Sequence, residues 1–228
     1  MKKLLCIVFA LLIFNCSNDD DLRPLEFTQD IDLTVFNSEL SVVANLENGV
    51  AVLDITEQLG VEVFYGIEYG GGFIFHVDET DGTLMVATDY STIGTKSWGD
   101  HFDLTNSALI GDGLANTQQI VDGNLNDNSN VANGFEFGSD DYVFKIVSDL
   151  EYRDHDDWFI PSSGSMKAIF DNVHTQDLGD FDETLFYWTS TKEGYNPYVM
   201  SFNGNFFGGN SFLGTCFDSN AVLIARKF

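Results

Sequence analysis

Residues 154–162 read DHDDWFIPS and place a histidine among three carboxylates, beside a tryptophan and shortly before a proline. The stretch suits a metal site, a general-base site or a structural junction. Adjacent side chains point apart, whereas metal ligands usually come from positions two or four apart or from distant segments. The sequence has no HExxH motif, no paired-histidine motif and no EF-hand spacing. We therefore predict no metal ligands in this stretch.

A catalytic role finds equally little support. None of the four histidines (His76, His101, His155 and His174) lies in a Gly-x-Ser-x-Gly or Cys–His context. Cys216 has no histidine near it in sequence, so we do not expect a thiol nucleophile there. We predict that the protein is not an enzyme and has no catalytic residues. A hydrolase acting on surface polysaccharide is the weakest alternative, because no acid–base pair stands out.

A structural junction explains the stretch best. Trp158, Phe159 and Ile160 form a short apolar piece, and Pro161 disfavours helix at the residue before it. Ser162 or the serine after it is suited to cap the following helix. We expect Asp157 to accept backbone N–H bonds in the turn that precedes the tryptophan.

The flanking sequence predicts an α+β fold with an antiparallel sheet and two to three helices. Strands are expected at 73–77 and 83–88, joined by a turn at Asp81-Gly82, and later at 185–191, 198–203 and 221–228. Apolar residues at helical spacing predict helices near 143–150 and 163–173, and a third near 114–122. The three tryptophans, Trp98, Trp158 and Trp188, are expected in the core.

A short repeat precedes this domain. Gly-Val-x-Val occurs at Gly49 and again at Gly60. Two copies cannot bury their apolar faces alone, so we expect residues 41–66 to form a neck of short turns or helices that packs onto the main domain.

The first residues are typical of a lipoprotein leader. Lys2 and Lys3 precede an apolar run that ends at Asn15-Cys16, and LIFNC resembles a bacterial lipobox. We predict a signal peptide at 1–15, lipidation of Cys16 and a tether at 16–40. The CSNDDD segment resembles the surface-export signal of Bacteroidetes-type lipoproteins. This favours an outer-membrane protein, anchored by lipid and facing the cell exterior.

Charge limits the partners. The chain carries 36 acidic against 10 basic residues, a net charge of −26, and loss of the leader would make it −28. Nucleic acid and polyanionic glycans should be repelled, so neither is expected as a ligand.

Several segments resemble a known family. DWFIPSSGSM (157–166) is similar to a signature of the domain of unknown function 1566, the C-terminal domain of the Legionella collagen-like adhesin. EYGGGFIFHVD, GTLMVATD, IGDGLANTQQIV, FYWTSTKE and AVLIARKF match further motifs in order, over residues 67–228. Ser165 stands where the family has glutamate, and one of the two closing arginines is absent. The residues that carry the resemblance are Asn116, Thr117, Asp157, Trp158, Pro161, Ser162, Trp188 and Arg226.

The resemblance implies a C-type-lectin-like fold and a non-catalytic extracellular binding module. The paired cysteines of the related formylglycine-generating enzymes are missing, as are the Glu-Pro-Asn and Trp-Asn-Asp motifs of calcium-dependent lectins. No cofactor is expected, although the acidic loops leave room for a structural Ca²⁺. Asn116 and Thr117 are expected to cap and pin the short helix.

In such folds the variable surface precedes the last strand, here residues 203–220. Aromatic rings alternate there with asparagine and glycine, a mixture that suits neutral sugars or a protein partner. The predicted ligand-binding residues are Asn203, Asn205, Phe206, Phe207, Asn210, Phe212 and Tyr195. We therefore expect an adhesin-like protein that binds a neutral glycan or a protein; the alternative is a structural component of the cell envelope without a soluble ligand.

Overall fold

The computed structural model describes residues 32–99, 102–126, 141–204, 208–216 and 218–228. The predicted leader and Cys16 lie outside the described residues. In the described part, the α-helices are α1 (Val42–Glu47), α2 (Val52–Leu59), α3 (Gly113–Asn126), α4 (Val143–Ser148) and α5 (Ser163–Asn172). The strands are β1 (Glu68–Tyr69), β2 (Gly72–Val77), β3 (Leu84–Asp89), β4 (Lys96–Ser97), β5 (Phe186–Glu193), β6 (Asn196–Ser201), β7 (Ser211–Leu213), β8 (Ser219–Asn220) and β9 (Leu223–Lys227). Single 3-10 turns span Val61–Phe64, Ser91–Ile93 and His174–Gln176.

The predicted hairpin is confirmed. β2 pairs antiparallel with β3, and the side chain of Asp81 accepts the Thr83 N–H at 2.9 Å in the connection. Gly82 has a φ of 81°, a conformation that favours glycine. β9 pairs antiparallel with β3, giving a four-stranded sheet in the order β1-β2-β3-β9.

Both faces of this sheet are covered. One face packs against α5 through a cluster that includes Phe75, Ala87 and Ile169. The other face carries Ile74 and Val86, which pack against residues of α1, α2 and the first 3-10 turn. Residues 41–66, which contain both Gly-Val-x-Val copies, thus form two short helices and a 3-10 turn and share a core with the sheet, in one compact unit from Leu33 to Phe228.

The acidic stretch of residues 154–157 is part of a tight turn. Tyr152 and His155 exchange backbone hydrogen bonds of 2.9 and 3.1 Å, and Arg153 and Asp154 between them have φ values of 52° and 64°. Two consecutive positive φ values define a type I′ turn, which aspartate tolerates better than most residues. His155 packs edge-on against Trp158, whose indole N–H donates to the Tyr152 carbonyl at 3.0 Å.

The residues after this turn join two sheets. Phe159 exchanges hydrogen bonds of 2.9 Å with Ala225 of β9, and the Pro161 carbonyl accepts the Ser190 N–H of β5 at 2.8 Å. The Ser162 cap is confirmed: its hydroxyl accepts the Ser165 N–H at 3.2 Å and donates to the Leu109 carbonyl at 2.6 Å. A few residues therefore connect the first sheet, the second sheet and α5.

The antiparallel α+β class is confirmed, but the strands form three sheets. β5, β6 and β7 make a separate three-stranded sheet, and β4 pairs with β8. The last strand does not extend the β5 sheet; just before that strand, the Ala221 carbonyl accepts the Trp188 N–H of β5 in an isolated bridge. β7 lies within residues 203–220, where no strand was predicted, and it pairs antiparallel with β6.

The predicted burial of the tryptophans is confirmed, since Trp98, Trp158 and Trp188 are each at most 2% exposed. The predicted capping role of Asn116 and Thr117 is wrong, because both lie inside α3. The other half of that prediction, that they pin the helix, agrees with the structure: Asn116 donates to the Ser107 carbonyl at 2.6 Å, and Thr117 accepts the Ile160 N–H at 3.1 Å.

Arg226 and Asp157 form a second cross-link. The guanidinium donates to both carboxylate oxygens of Asp157, at 2.7 and 3.0 Å, and to the Gly70 carbonyl at 2.9 Å. The expectation that Asp157 serves the turn needs correction, because its main partner is a side chain from the last strand. Burial opposes ionisation of Asp157, but the hydrogen bonds and charge of Arg226 outweigh it and lower its pKa.

Candidate binding groove

The predicted ligand-binding residues at 195 and 203–212, which we call the aromatic rim, are only partly described. Asn205, Phe206 and Phe207 lie outside the described residues. Asn203 follows β6 and Asn210 precedes β7, so these two lie at one end of the hairpin. Tyr195 lies in the turn at the other end, roughly 20 Å away at about 3.3 Å per residue along β6. Tyr195 is 49% exposed.

Phe212 lies on the inner side of β7. Its ring is half-buried and packs against the cluster that contains Trp98 and Trp188. It also meets Phe186 edge-on at 5.3 Å. Successive strand residues face opposite sides, so Ser211 and Leu213 share the other side of β7 with Tyr198, the partner of Leu213 on β6.

A groove of about 350 Å³ opens on that other side. It brings together three segments that are far apart in sequence: the loop before α3, the start of α5 and the β5–β6–β7 sheet. Its lining residues are Thr105, Asn106, Ala108, Ser163, Thr191, Lys192, Glu193, Tyr198 and Ser211. We call it the hydroxyl groove, since five of these side chains carry a hydroxyl.

The loop wall of the hydroxyl groove is fastened to β5. Asn106 and Lys192 bond twice: the Lys192 N–H donates to Asn106 Oδ1 at 2.8 Å, and the Asn106 N–H donates to the Lys192 carbonyl at 3.2 Å. Gly194 accepts the Leu104 N–H at 3.0 Å and donates its own N–H to the Thr105 hydroxyl at 3.1 Å. These bonds fix the wall before any ligand arrives.

The Lys192 ammonium points away from the groove. The side chain is completely buried, with its nitrogen 4.4 Å from the centre of the Trp98 ring and 4.2 Å from that of Phe102. It also donates to the Phe102 carbonyl. The aromatic faces and the carbonyl stabilise the charge inside the core. Lys192 therefore lines the groove without bringing its positive charge into it.

Tyr198 and Glu193 form the polar end of the groove. The phenol donates to Glu193 Oε2 at 2.7 Å, and this hydrogen bond, with partial burial and the glutamate charge, raises the pKa of Tyr198. The phenol is thus neutral at physiological pH, and its lone pairs can accept from a ligand. Glu193 is exposed and keeps Oε1 for further hydrogen bonds.

Some groove hydroxyls are already used by the fold. Thr191 accepts the Ser163 N–H at 3.0 Å and donates to the Ser107 carbonyl at 3.2 Å. Within the described ranges, by contrast, the hydroxyls of Ser163 and Ser211 make no hydrogen bond to protein. A ligand would find two adaptable hydroxyls, a phenol and a carboxylate, all of which can accept hydrogen bonds.

A second cavity, of about 300 Å³, lies between β3 and the loop before β5. Asp89, Asp180 and Asp182 contribute carboxylates, and Tyr187 accepts the Asp182 N–H at 2.9 Å. Burial and then the charge of Asp182 raise the pKa of Asp89, and burial with the Asp89 charge raises the pKa of Tyr187 strongly. In the part of the chain described, no three His, Cys, Asp or Glu side chains are arranged to hold a metal ion.

Sequence reasoning missed most of the hydroxyl groove. Thr105, Ser163 and Thr191 belong to no motif, and single hydroxyl residues are common on surfaces. One signal was available: Glu193-Gly194 ends a strand in a tight turn, where a carboxylate is held close to its cross-strand neighbours.

None of the helices in the described ranges has the length and apolar character needed to cross a membrane. No protein-family model matches the chain, and comparison with curated proteins finds no match.

Proposed function

We propose that the protein is a surface-exposed lipoprotein whose C-type-lectin-like domain recognises a neutral glycan without catalysis, as an adhesin does. The hydroxyl groove carries the proposal. Its accessible hydroxyls and the Tyr198 ring match the alternating polar and apolar faces of a sugar. The loop wall at Thr105 and Asn106 is held by hydrogen bonds to β5, so little ordering energy is lost there on binding.

Other features support parts of the proposal. Asp157, Ser162 and Arg226, on which the family resemblance rests, join sheets and helix into one scaffold. The groove lining offers a single carboxylate. Glycosidases use a pair, so the lining suits binding better than hydrolysis. The lipobox-like LIFNC segment supports attachment to a membrane through Cys16.

A glycan array with the full-length protein tests the proposal. We expect saturable binding to neutral glycans, weakened several-fold by Tyr198→Phe and by Ser211→Ala, each of which removes one hydroxyl. Ser219→Ala is the matched control, because Ser219 is exposed and lies outside the groove.

The outcomes separate the competing ideas. Loss of binding only in Phe206→Ala and Phe207→Ala would move the site to the aromatic rim and refute the groove. A blank glycan array with binding on a protein array would replace the glycan by a protein partner. Two blank arrays, with co-purification of envelope proteins, would favour a structural component.

A further inference from the structure

We infer that Glu193 makes the hydroxyl groove prefer a sugar that carries a protonated primary amine, a hexosamine without its acetyl group, over the N-acetylated sugar. The inference rests on the glycan binding proposed for this groove, and it widens the ligand class from neutral sugars to a sugar that carries a positive charge.

Glu193 is a carboxylate without a cationic partner within the described ranges. The ion pairs there use other acids, and the adjacent lysine is turned into the core between two aromatic rings. An exposed glutamate usually samples many rotamers, but the hydrogen bond from Tyr198 holds one oxygen of Glu193 at 2.7 Å. The negative charge therefore has a defined place at the end of the groove.

The hydrogen-bonding capacity around that charge matches an ammonium group. Because the Tyr198 O–H is given to Glu193, the phenol presents lone pairs, and Glu193 Oε1 presents two more. Ser211, on the neighbouring strand, lines the same groove and offers a further hydroxyl to the sugar. An ammonium donates three hydrogen bonds and carries the opposite charge, whereas an N-acetyl group donates one and is neutral.

Long-range electrostatics act in the same direction. A net charge of −26 attracts cations to the whole surface and repels uronic or sulfated sugars before they reach the groove. That attraction falls with ionic strength and does not depend on any single carboxylate. The local preference due to Glu193 can be distinguished from this long-range attraction, because substitution of Glu193 alone removes the local preference.

Two chitin-derived oligosaccharides of equal length, one fully deacetylated and one fully N-acetylated, provide the test. Affinities for the full-length protein are measured by calorimetry below the pKa of the amines. We expect tighter binding of the deacetylated oligosaccharide by roughly three- to fivefold, the range for a solvent-accessible ion pair. Glu193→Gln should remove most of this difference by lowering the affinity for the deacetylated sugar more than the affinity for the acetylated one, because glutamine still accepts from Tyr198 but carries no charge.

Glu57→Gln is the control. It removes the same charge from an exposed position on α2, away from the groove, and should keep the difference. The inference is overturned if Glu193→Gln keeps the preference for the deacetylated sugar, or if both variants lose that preference equally. In either case, binding of the acetylated sugar would leave the proposed function standing. Binding of neither oligosaccharide, with a blank glycan array, overturns both.

Discussion

Replacing Asp157 by asparagine should weaken the junction between the tryptophan segment and the last strand. The carboxylate accepts two hydrogen bonds from Arg226, whose guanidinium also lies 4.6 Å from the centre of the Phe228 ring. Asparagine keeps the shape and one acceptor but removes the charge. The arginine would then remain in the interior with its charge only partly compensated.

The expected cost follows from the burial of the two partners. Breaking a fully buried pair costs about 3–5 kcal/mol, and an exposed pair contributes about 0–1 kcal/mol. Here the arginine side chain is 10% exposed and the aspartate side chain 43% exposed, so the pair lies between these limits. Since Arg226 keeps its bond to Gly70, we expect the free energy of unfolding to fall by about 2 kcal/mol.

Urea denaturation followed by tryptophan fluorescence measures this change. The neighbour Asp156→Asn removes an exposed charge from the same loop and should stay within about 0.5 kcal/mol of the wild type. The pKa of Asp157 is lower in the folded state, so its stabilisation is present above the unfolded-state pKa of about 3.9 and is lost as pH falls through the folded value. A loss no larger than that of Asp156→Asn at neutral pH, or one that persists undiminished at the lowest measurable pH, would refute the reasoning.

Two further substitutions should stabilise the protein. Burial and the charge of Asp182 raise the pKa of Asp89 in the folded state, so ionised Asp89 destabilises the fold at neutral pH. Asp89→Asn should therefore raise the free energy of unfolding by about 0.5–1 kcal/mol. This gain should vanish as pH falls below the unfolded-state pKa, because Asp89 is then neutral in both states. Thermal denaturation at two pH values checks this, and a gain that is independent of pH would contradict it. Asp154→Gly should raise the free energy of unfolding, measured in urea, by about 0.5–1 kcal/mol, because φ is 64° at this position. The same change at Asp156, where φ is not positive, should lower it. Equal effects at both positions would count against the proposed role of the turn.

Prediction from the sequence succeeded where neighbouring residues decide the structure. Ser162 caps α5 because Pro161 disfavours helix at the residue before it, and the capping hydrogen bond joins residues within one helical turn. The hairpin of β2 and β3 follows from alternating apolar residues and an Asp-Gly turn. It failed for the cap expected at Asn116 and Thr117, because both lie inside α3 and bind Ser107 and Ile160, which lie outside the helix.

The sequence by itself determined the α+β class, the main hairpin, the cap of α5 and the burial of three tryptophans, because periodicity, turn residues and side-chain size act over a few positions. Tertiary structure alone decided that Asp157 belongs to Arg226, that Lys192 turns inward, and that residues from three segments line one groove. Those outcomes depend on which segments meet after the chain has folded, and one sequence carries no record of such long-range pairing.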